Sequence, residues 1–332
     1  MELISRAVEK KITYFDTAEC YSQGASECQL GLVLKELDKD LRSQVLIGSK
    51  VLPNNCSNVR KALEDSLNRL GIDSIDLYMV HWPITKRGMA HFAGDHKGKP
   101  GGIDYSKSDV KSITDVPSTG KAFSELMQLQ REGLIKHIGV SNFGVKQLEE
   151  ALATGVKIAV NEVAYSLLFR AIEFEVLPFC REHGIQVLCY SPLMQGLLTG
   201  RYKCVGDIPP YRSRTRHYDS RTNKHSRHGE NGCEKLLFET VERIRDIADQ
   251  SGYSMVELAL AWPLAQEGVS CVIAGATKAS QVDSNASAAK TSLSGNVIRA
   301  LSEATEELKK ALGPNIDMYQ GVVNGVDTSR CF

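Results

Sequence analysis

The sequence predicts a single-domain α/β barrel of 332 residues, and two observations support this fold class. Short β-rich runs alternate with longer helical runs along the whole chain, which indicates parallel strands buried on both faces. Successive strands also end in reactive side chains. In a (β/α)8 TIM barrel the chemistry collects at the carboxyl ends of several strands, so this second observation favours a barrel over a doubly wound sheet.

Seven strands are predicted, with amphipathic helices between them. The clearest helix covers residues 59–70, where apolar side chains keep helical spacing until Gly71 ends the pattern. The predicted strands lie at residues 12–15, 45–49, 76–81, 137–140, 158–162, 186–190 and 270–274.

Two long segments, residues 84–118 and 201–233, interrupt this alternation. Both are polar with little periodicity, and the second is strongly basic. Long insertions in a compact domain are usually functional lids or disordered segments. We expect both loops to project over the mouth of the barrel, and the basic one is either a solvated surface or a cover for a polyanionic cofactor.

Composition excludes several classes of partner. The 40 basic residues balance the 40 acidic ones, which argues against nucleic acid and anionic membrane surfaces and favours a small-molecule partner. No run approaches the roughly 20 apolar residues of a membrane span. The nine cysteines are scattered and form no Cys-x-x-Cys pair, so we expect reduced thiols in the cytoplasm and no zinc site.

Four reactive residues lie at the ends of the first three predicted strands: Asp16 and Tyr21, then Lys50, then His81. A phenol is a poor acid at its reference pKa of about 10, but a neighbouring ammonium makes its proton easier to give. Asp16 would keep Lys50 charged, and His81 would donate a hydrogen bond to a substrate oxygen. Each residue alone is more often structural. Their joint placement predicts proton delivery to a carbonyl.

Five motifs in this order resemble the aldo-keto reductase superfamily over nearly the whole chain: residues 16–21, 71–83, 133–143, 190–200 and 275–285. The resemblance implies an NADP(H)-dependent oxidoreductase that reduces an aldehyde or ketone to an alcohol. It makes Tyr21 the general acid, Lys50 and Asp16 its tuning partners, and His81 the group that orients the substrate.

The same resemblance assigns the cofactor site. Ser141 and Asn142 would bind the nicotinamide carboxamide, and Tyr190 would stack on the ring. The phosphates would lie where the last two βα loops meet, with Lys278 offering a charge to a 2′-phosphate, so that NADP(H) is preferred over NAD(H). The complete predicted set is Ser141, Asn142, Glu162, Tyr190, Ser191, Leu193, Gly275, Thr277, Lys278, Gln281 and Asn285.

Two features depart from the family pattern. Glu162 stands where the family usually has Gln, and a carboxylate near nicotinamide would stabilise the cationic oxidised ring and weaken discrimination in favour of NADPH. Alternatively, Glu162 is protonated or simply accepts from the carboxamide. The resemblance also begins inside the family's first helix, which predicts an N-terminally truncated barrel without its first strand and with two unpaired edges.

Two other functions remain open on the sequence. One is a cofactor-binding regulatory or vestigial protein that turns over slowly because the first strand is absent. The other is a metal-dependent barrel hydrolase that uses some of the histidines, namely His81, His91, His96, His217, His225 and His228.

Overall fold

The computed structural model describes residues 2–92, 114–223, 226 and 228–319. Within them, helices alternate with seven strands, as the sequence predicts, and each predicted strand boundary agrees with the observed one within two residues. The strands are β1 (Tyr14–Asp16), β2 (Leu46–Val51), β3 (Ile75–Val80), β4 (Ile135–Ser141), β5 (Val160–Ala164), β6 (Gln186–Tyr190) and β7 (Val269–Val272).

The described ranges also contain α-helices before, between and after these strands, and none of them is both long and apolar enough to cross a bilayer. The helix predicted at 59–70 begins after Asn58, whose side chain caps it, and ends at Gly71 with φ of 65°. The helices are α1 (Glu2–Glu9), α2 (Ala25–Glu36), α3 (Lys39–Gln44), α4 (Val59–Leu70), α5 (Lys86–Phe92), α6 (Thr119–Arg131), α7 (Val145–Leu152), α8 (Val176–Glu182), α9 (Glu234–Ser251), α10 (Met255–Leu264), α11 (Ala279–Ala288), α12 (Gly295–Ala304) and α13 (Glu306–Leu312).

The chain divides into two compact units, Met1–Asn161 and Glu162–Phe332. In the first unit, β1, β2, β3 and β4 lie side by side in chain order and run parallel. Asp16 pairs with Gly48, and Lys50 pairs with Met79. Because parallel strands end at the same edge of a sheet, the residues at their carboxyl ends become neighbours.

The core of the first unit forms around β2 and β3, whose side chains are almost all buried against the helices. Gly48 is required there, because a Cβ atom at this position would lie 2.0 Å from the hydroxyl oxygen of Tyr14. The glycine lets the Tyr14 ring lie close against β2. All three residues of β1 are, by contrast, only half-buried.

In the second unit, β6 and β7 pair in parallel, with Val187 opposite Val269. The basic loop at 201–233 is partly buried in its described part: Tyr202, His217 and Tyr218 are buried, whereas Arg201 and Arg221 are exposed. Arg216 donates to the Glu230 carboxylate and to two backbone carbonyls near the end of α13. Most of the 84–118 loop lies outside the described residues.

Candidate active site

The first unit brings together all four residues that were predicted to be catalytic. Asp16 is the last residue of β1, Lys50 lies on β2, and His81 directly follows β3. Tyr21 begins a short 3₁₀ turn that follows β1. Adjacent parallel strands therefore deliver three of the side chains, and the turn delivers the fourth.

Lys50 lies at the centre of this group, with its side chain completely buried. Its Nζ donates to Asp16 Oδ2 at 2.5 Å, to the Thr17 carbonyl at 3.0 Å and to Tyr21 Oη at 3.5 Å. The three ammonium hydrogens thus meet a carboxylate, a carbonyl and a phenol. A buried ammonium needs such partners, because burial without them would favour the neutral amine.

The other oxygen of Asp16 is also occupied, because Tyr14 donates its hydroxyl to Oδ1 at 3.4 Å. The sequence reasoning overlooked this tyrosine. Its spacing from Asp16 was a usable signal, since residues two apart on a strand point to the same face. Tyr14 and Lys50 together fix the orientation of the carboxylate.

Tyr21 is partly exposed, although its ring contacts the buried His81. It is 38 % exposed, whereas His81 is buried, and the two rings meet edge-on with centroids 5.6 Å apart. The next three residues, Ser22, Gln23 and Gly24, all have positive φ, at 49°, 57° and 86°. Consecutive left-handed residues are costly unless all are glycine, and such conformations concentrate at functional sites.

Glu19 ties this turn to β2. Its Oε1 accepts from the Leu52 N–H at 2.6 Å and from the Asn55 amide at 2.9 Å. Burial raises the pKa of Glu19, and the nearby Glu27 carboxylate adds to the effect. The turn that carries Tyr21 is thereby attached to the strand that carries Lys50.

Two of the predicted cofactor residues, Ser141 and Asn142, lie in the same unit at the end of β4, and both are buried. The Asn142 amide nitrogen donates to the His81 carbonyl at 3.1 Å and to Ser141 Oγ at 3.0 Å. Both hydrogens of the Asn142 amide therefore point to protein oxygens.

The other predicted cofactor residues belong to the second unit. Glu162 is buried on β5, and Tyr190 ends β6 with its side chain half-buried. Ser191 follows with φ of 56°, and Leu193 lies in the same loop. As at Tyr21, a strand end is followed by strained, non-glycine backbone.

The segment from Gly275 to Gln281 is exposed and is organised by one side chain. Gln281 Oε1 accepts from the Thr277 N–H at 2.7 Å, from the Lys278 N–H at 3.2 Å and from the Thr277 hydroxyl at 3.1 Å. This arrangement caps the start of α11. It uses only the oxygen of the Gln281 amide, and the amide nitrogen is the group that could donate to a ligand. Asn285, one turn further on, is largely buried.

The histidines do not form a metal centre in the described part of the chain, where no cluster of metal-ligating residues is found. His217 is fully buried between the Thr215 hydroxyl and the Leu168 carbonyl, and burial lowers its pKa to about 4. It is a neutral structural residue. His96 and His225 lie outside the described residues, and so does the His91 side chain.

Comparison with known proteins decides the family. The model of the aldo/keto reductase family matches residues 1–306. The chain belongs to the aldo/keto reductase family. It is 31 % identical over 321 residues to the NADH-specific methylglyoxal reductase of Escherichia coli, covering 89 % of this chain and 85 % of the relative. It is 28 % identical over 321 residues to aldo-keto reductase yakc [NADP(+)] of Schizosaccharomyces pombe, covering 92 % and 82 %.

Solved structures agree with this assignment. The aldo/keto reductase of Klebsiella pneumoniae in complex with NADP and acetate matches with a TM-score of 0.62 and 25 % identity, over 97 % of this chain and 89 % of that one. The thermostable aldo-keto reductase Tm1743 matches with a TM-score of 0.64 and 26 % identity, over 91 % and 86 %. The predicted barrel-type α/β fold and the predicted family are confirmed. The chain is an oxidoreductase of a family that uses nicotinamide cofactors.

Proposed function

We propose that this aldo/keto reductase uses NADP(H) to reduce an aldehyde or ketone to an alcohol, with Tyr21 as the general acid. The observation that carries the proposal is the Lys50 ammonium, which lies between Asp16 Oδ2 and Tyr21 Oη. Because the phenol oxygen accepts from the ammonium, its own O–H can point elsewhere, toward a substrate oxygen. The exposed Tyr21 ring keeps that hydroxyl within reach of a small molecule.

These contacts support the proposed proton step. The Tyr21 O–H breaks as its proton moves to the carbonyl oxygen, and the negative charge stays on the phenolate. Lys50 stabilises that charge at 3.5 Å, while Asp16 keeps the ammonium protonated and in place. His81, at the edge of the Tyr21 ring, orients the carbonyl by a hydrogen bond.

Residues of each unit suit one part of a nicotinamide cofactor, which would supply the hydride when bound. Asn142 Oδ1 can accept from the carboxamide, and Tyr190 offers a flat aromatic face. Around Gly275, a Cβ atom would meet no neighbour, so the backbone there is open to a close ligand. The start of α11 and the Lys278 ammonium suit a phosphate group.

Substitution of Tyr21 by Phe tests the acid role. We expect kcat with a generic aldehyde to fall about 10²- to 10⁴-fold, while NADPH binding, followed by fluorescence quenching, stays unchanged. Tyr211→Phe at an exposed tyrosine is the matched control and should have no effect. Unchanged turnover in Tyr21→Phe would contradict the assignment. Binding without turnover in the unaltered chain would instead support a vestigial role.

Glu162 bears on how strongly the oxidised and reduced cofactors are distinguished. The side chain is 3 % exposed on β5 and, if charged, would stabilise the cationic oxidised ring. Glu162→Gln should then raise the ratio of the NADP⁺ to the NADPH dissociation constant. An unchanged ratio would mean that Glu162 is neutral or serves only as an acceptor.

We also place the protein in the cytoplasm, acting on a small carbonyl or alcohol substrate. No disulfide joins any of the eight cysteines in the described ranges, which suits a reducing compartment. Exposed thiols support the same location, since Cys28 and Cys204 would be open to oxidation elsewhere. Fractionation of cells that express the chain would test this location.

A further inference from the structure

Cys20 lies beside His81, although nothing in the sequence singled it out. Its Sγ is 3.5 Å from His81 Nδ1, and the neighbouring Tyr21 ring meets the same imidazole edge-on. Burial, strengthened by the nearby Glu19 carboxylate, raises the pKa of the Cys20 thiol to about 12. The thiol therefore keeps its hydrogen at neutral pH and can act as a donor.

A neutral imidazole carries its proton on one ring nitrogen and accepts at the other, and the partner of one nitrogen decides which. A thiol sulfur is only a weak acceptor, whereas an imidazole nitrogen is a good one. A hydrogen bond from the Cys20 S–H to Nδ1 is therefore more favourable than one from an Nδ1–H to the sulfur. The backbone of His81 is independently held, because its carbonyl accepts from Asn142 at 3.1 Å.

We propose that Cys20 is a positioning residue that fixes the tautomer of His81: its S–H donates to Nδ1 and keeps the ring proton on Nε2. The role of that proton rests on the proposed function, since Nε2–H is then the donor to the carbonyl oxygen of the substrate. The opposite tautomer would aim a lone pair of Nε2 at that oxygen and repel it. Cys20 acts on the reaction only through the histidine.

The direct test is ¹⁵N NMR of histidine-labelled protein at about pH 8, above the reference histidine pKa of about 6.5. The His81 signals are assigned by their loss in His81→Gln. We expect a protonated Nε2 and an unprotonated Nδ1, and in Cys20→Ala a shift toward a mixture of tautomers. A proton on Nδ1 in the unaltered protein would overturn the proposal. This readout needs no turnover, so it stands apart from any failure of carbonyl reduction.

Kinetics provide the second test. Cys20→Ala should lower kcat/KM about 3- to 10-fold, with the NADPH dissociation constant unaltered. Cys20→Ser keeps a donor but adds a better acceptor, so it should retain more of kcat/KM than Cys20→Ala does. If Cys20→Ala fails to fold, Cys20→Val removes the same donor without leaving a cavity. The exposed Cys28 supplies matched controls, Cys28→Ala and Cys28→Ser, which should have no effect. Equal activity in the Ala and Ser variants of Cys20 would refute the proposal.

Discussion

The two units hold their basic side chains in opposite ways. In the first, Lys50 is completely buried, with Asp16 at 2.5 Å. In the second, Lys278 is exposed at the start of α11 and lies next to a capped turn. A third case is His217, which is buried among a hydroxyl, a carbonyl and further basic groups, and burial lowers its pKa to about 4.

The difference agrees with the role that we propose for each group. A charge that stabilises a developing phenolate is most effective where water is excluded, but it can be buried only with a partner such as Asp16. A charge that binds a phosphate can be exposed to solvent in the free protein, because the ligand supplies the opposite charge. Without either partner, a buried base such as His217 becomes neutral instead.

The largest expected effect comes from Lys50→Met, which removes the charge and keeps much of the volume. Asp16 would remain buried without its ammonium, so the free energy of unfolding should fall by roughly 3–5 kcal/mol. The kcat for carbonyl reduction should fall about 10²- to 10⁴-fold. Urea unfolding and steady-state kinetics measure the two effects.

The double variant Lys50→Met/Asp16→Asn separates these effects. It also removes the charge of the Asp16 carboxylate, so we expect much of the free energy of unfolding to be restored while activity stays low. If Lys50→Met alone unfolds no more easily than the parent chain, the buried pair does not hold the site together in the way that we infer.

Acid should weaken the second unit through His217. The pKa of this group is about 4 in the folded chain, against the ordinary histidine value of 6.5 that applies to the unfolded chain. The unfolded chain therefore takes up the proton first. The stabilising contribution is complete above about pH 6.5, decreases as the pH falls, and is lost below about pH 4, a total of roughly 3 kcal/mol.

Unfolding by urea between about pH 4 and pH 7 measures that slope. His217→Gln should reduce the dependence of the free energy of unfolding on pH, although we expect this variant to be less stable at neutral pH. Burial also lowers the pKa of His228, which accounts for part of the remaining pH dependence. The exposed His183 is the control, and His183→Gln should leave the slope unchanged. An unaltered slope in His217→Gln would mean that other groups carry the acid sensitivity.

Lys278→Ala should weaken NADPH binding about 3- to 10-fold and leave NADH binding and stability nearly unchanged, because an exposed charge contributes little except to a phosphate. The effect should shrink at high salt. Lys290→Ala, at an exposed lysine just beyond α11, is the control. Equal losses for NADH and NADPH would argue against a role at the 2′-phosphate.

Much of the candidate catalytic group could be predicted from the sequence, because the ends of strands can be recognised from apolar runs. Asp16, Lys50 and His81 each follow or end such a run, and their neighbours on the sheet were implied by the β–α alternation. Contacts that depend on side-chain direction were not predictable in the same way. The approach of Cys20 to His81 joins residues 61 positions apart, and Cys20 lies in the irregular segment between β1 and α2.

The basic loop at 201–233 was only partly predictable for a related reason. Arg201 and Arg221 are exposed, as on a solvated surface, but Arg216 is buried and donates to two backbone carbonyls, which no composition reveals. A role of the loop as a cover for an anion stays a prediction. Gln281, one of the residues predicted to bind the cofactor, also caps the start of α11 through its oxygen, and composition does not reveal that contact either.

The smallest expected effect concerns the turn that carries Tyr21. Ser22 has φ of 49°, a conformation that costs a residue with a side chain about 1 kcal/mol and costs glycine very little. Ser22→Gly should therefore raise the free energy of unfolding slightly, by at most about 1 kcal/mol, because the more flexible unfolded chain offsets part of the gain.

Ser124→Gly is the matched control. Ser124 is exposed within α6, so the same substitution there should destabilise the chain by roughly 0.5 kcal/mol. The opposite signs distinguish relief of strain from a general effect of glycine. If Ser22→Gly stabilises the chain but lowers kcat, the strain helps to hold the Tyr21 hydroxyl near Lys50. The turn then contributes, together with the buried Lys50–Asp16 ion pair, to the preorganisation of the site. A loss of stability in Ser22→Gly would show that the turn is not strained.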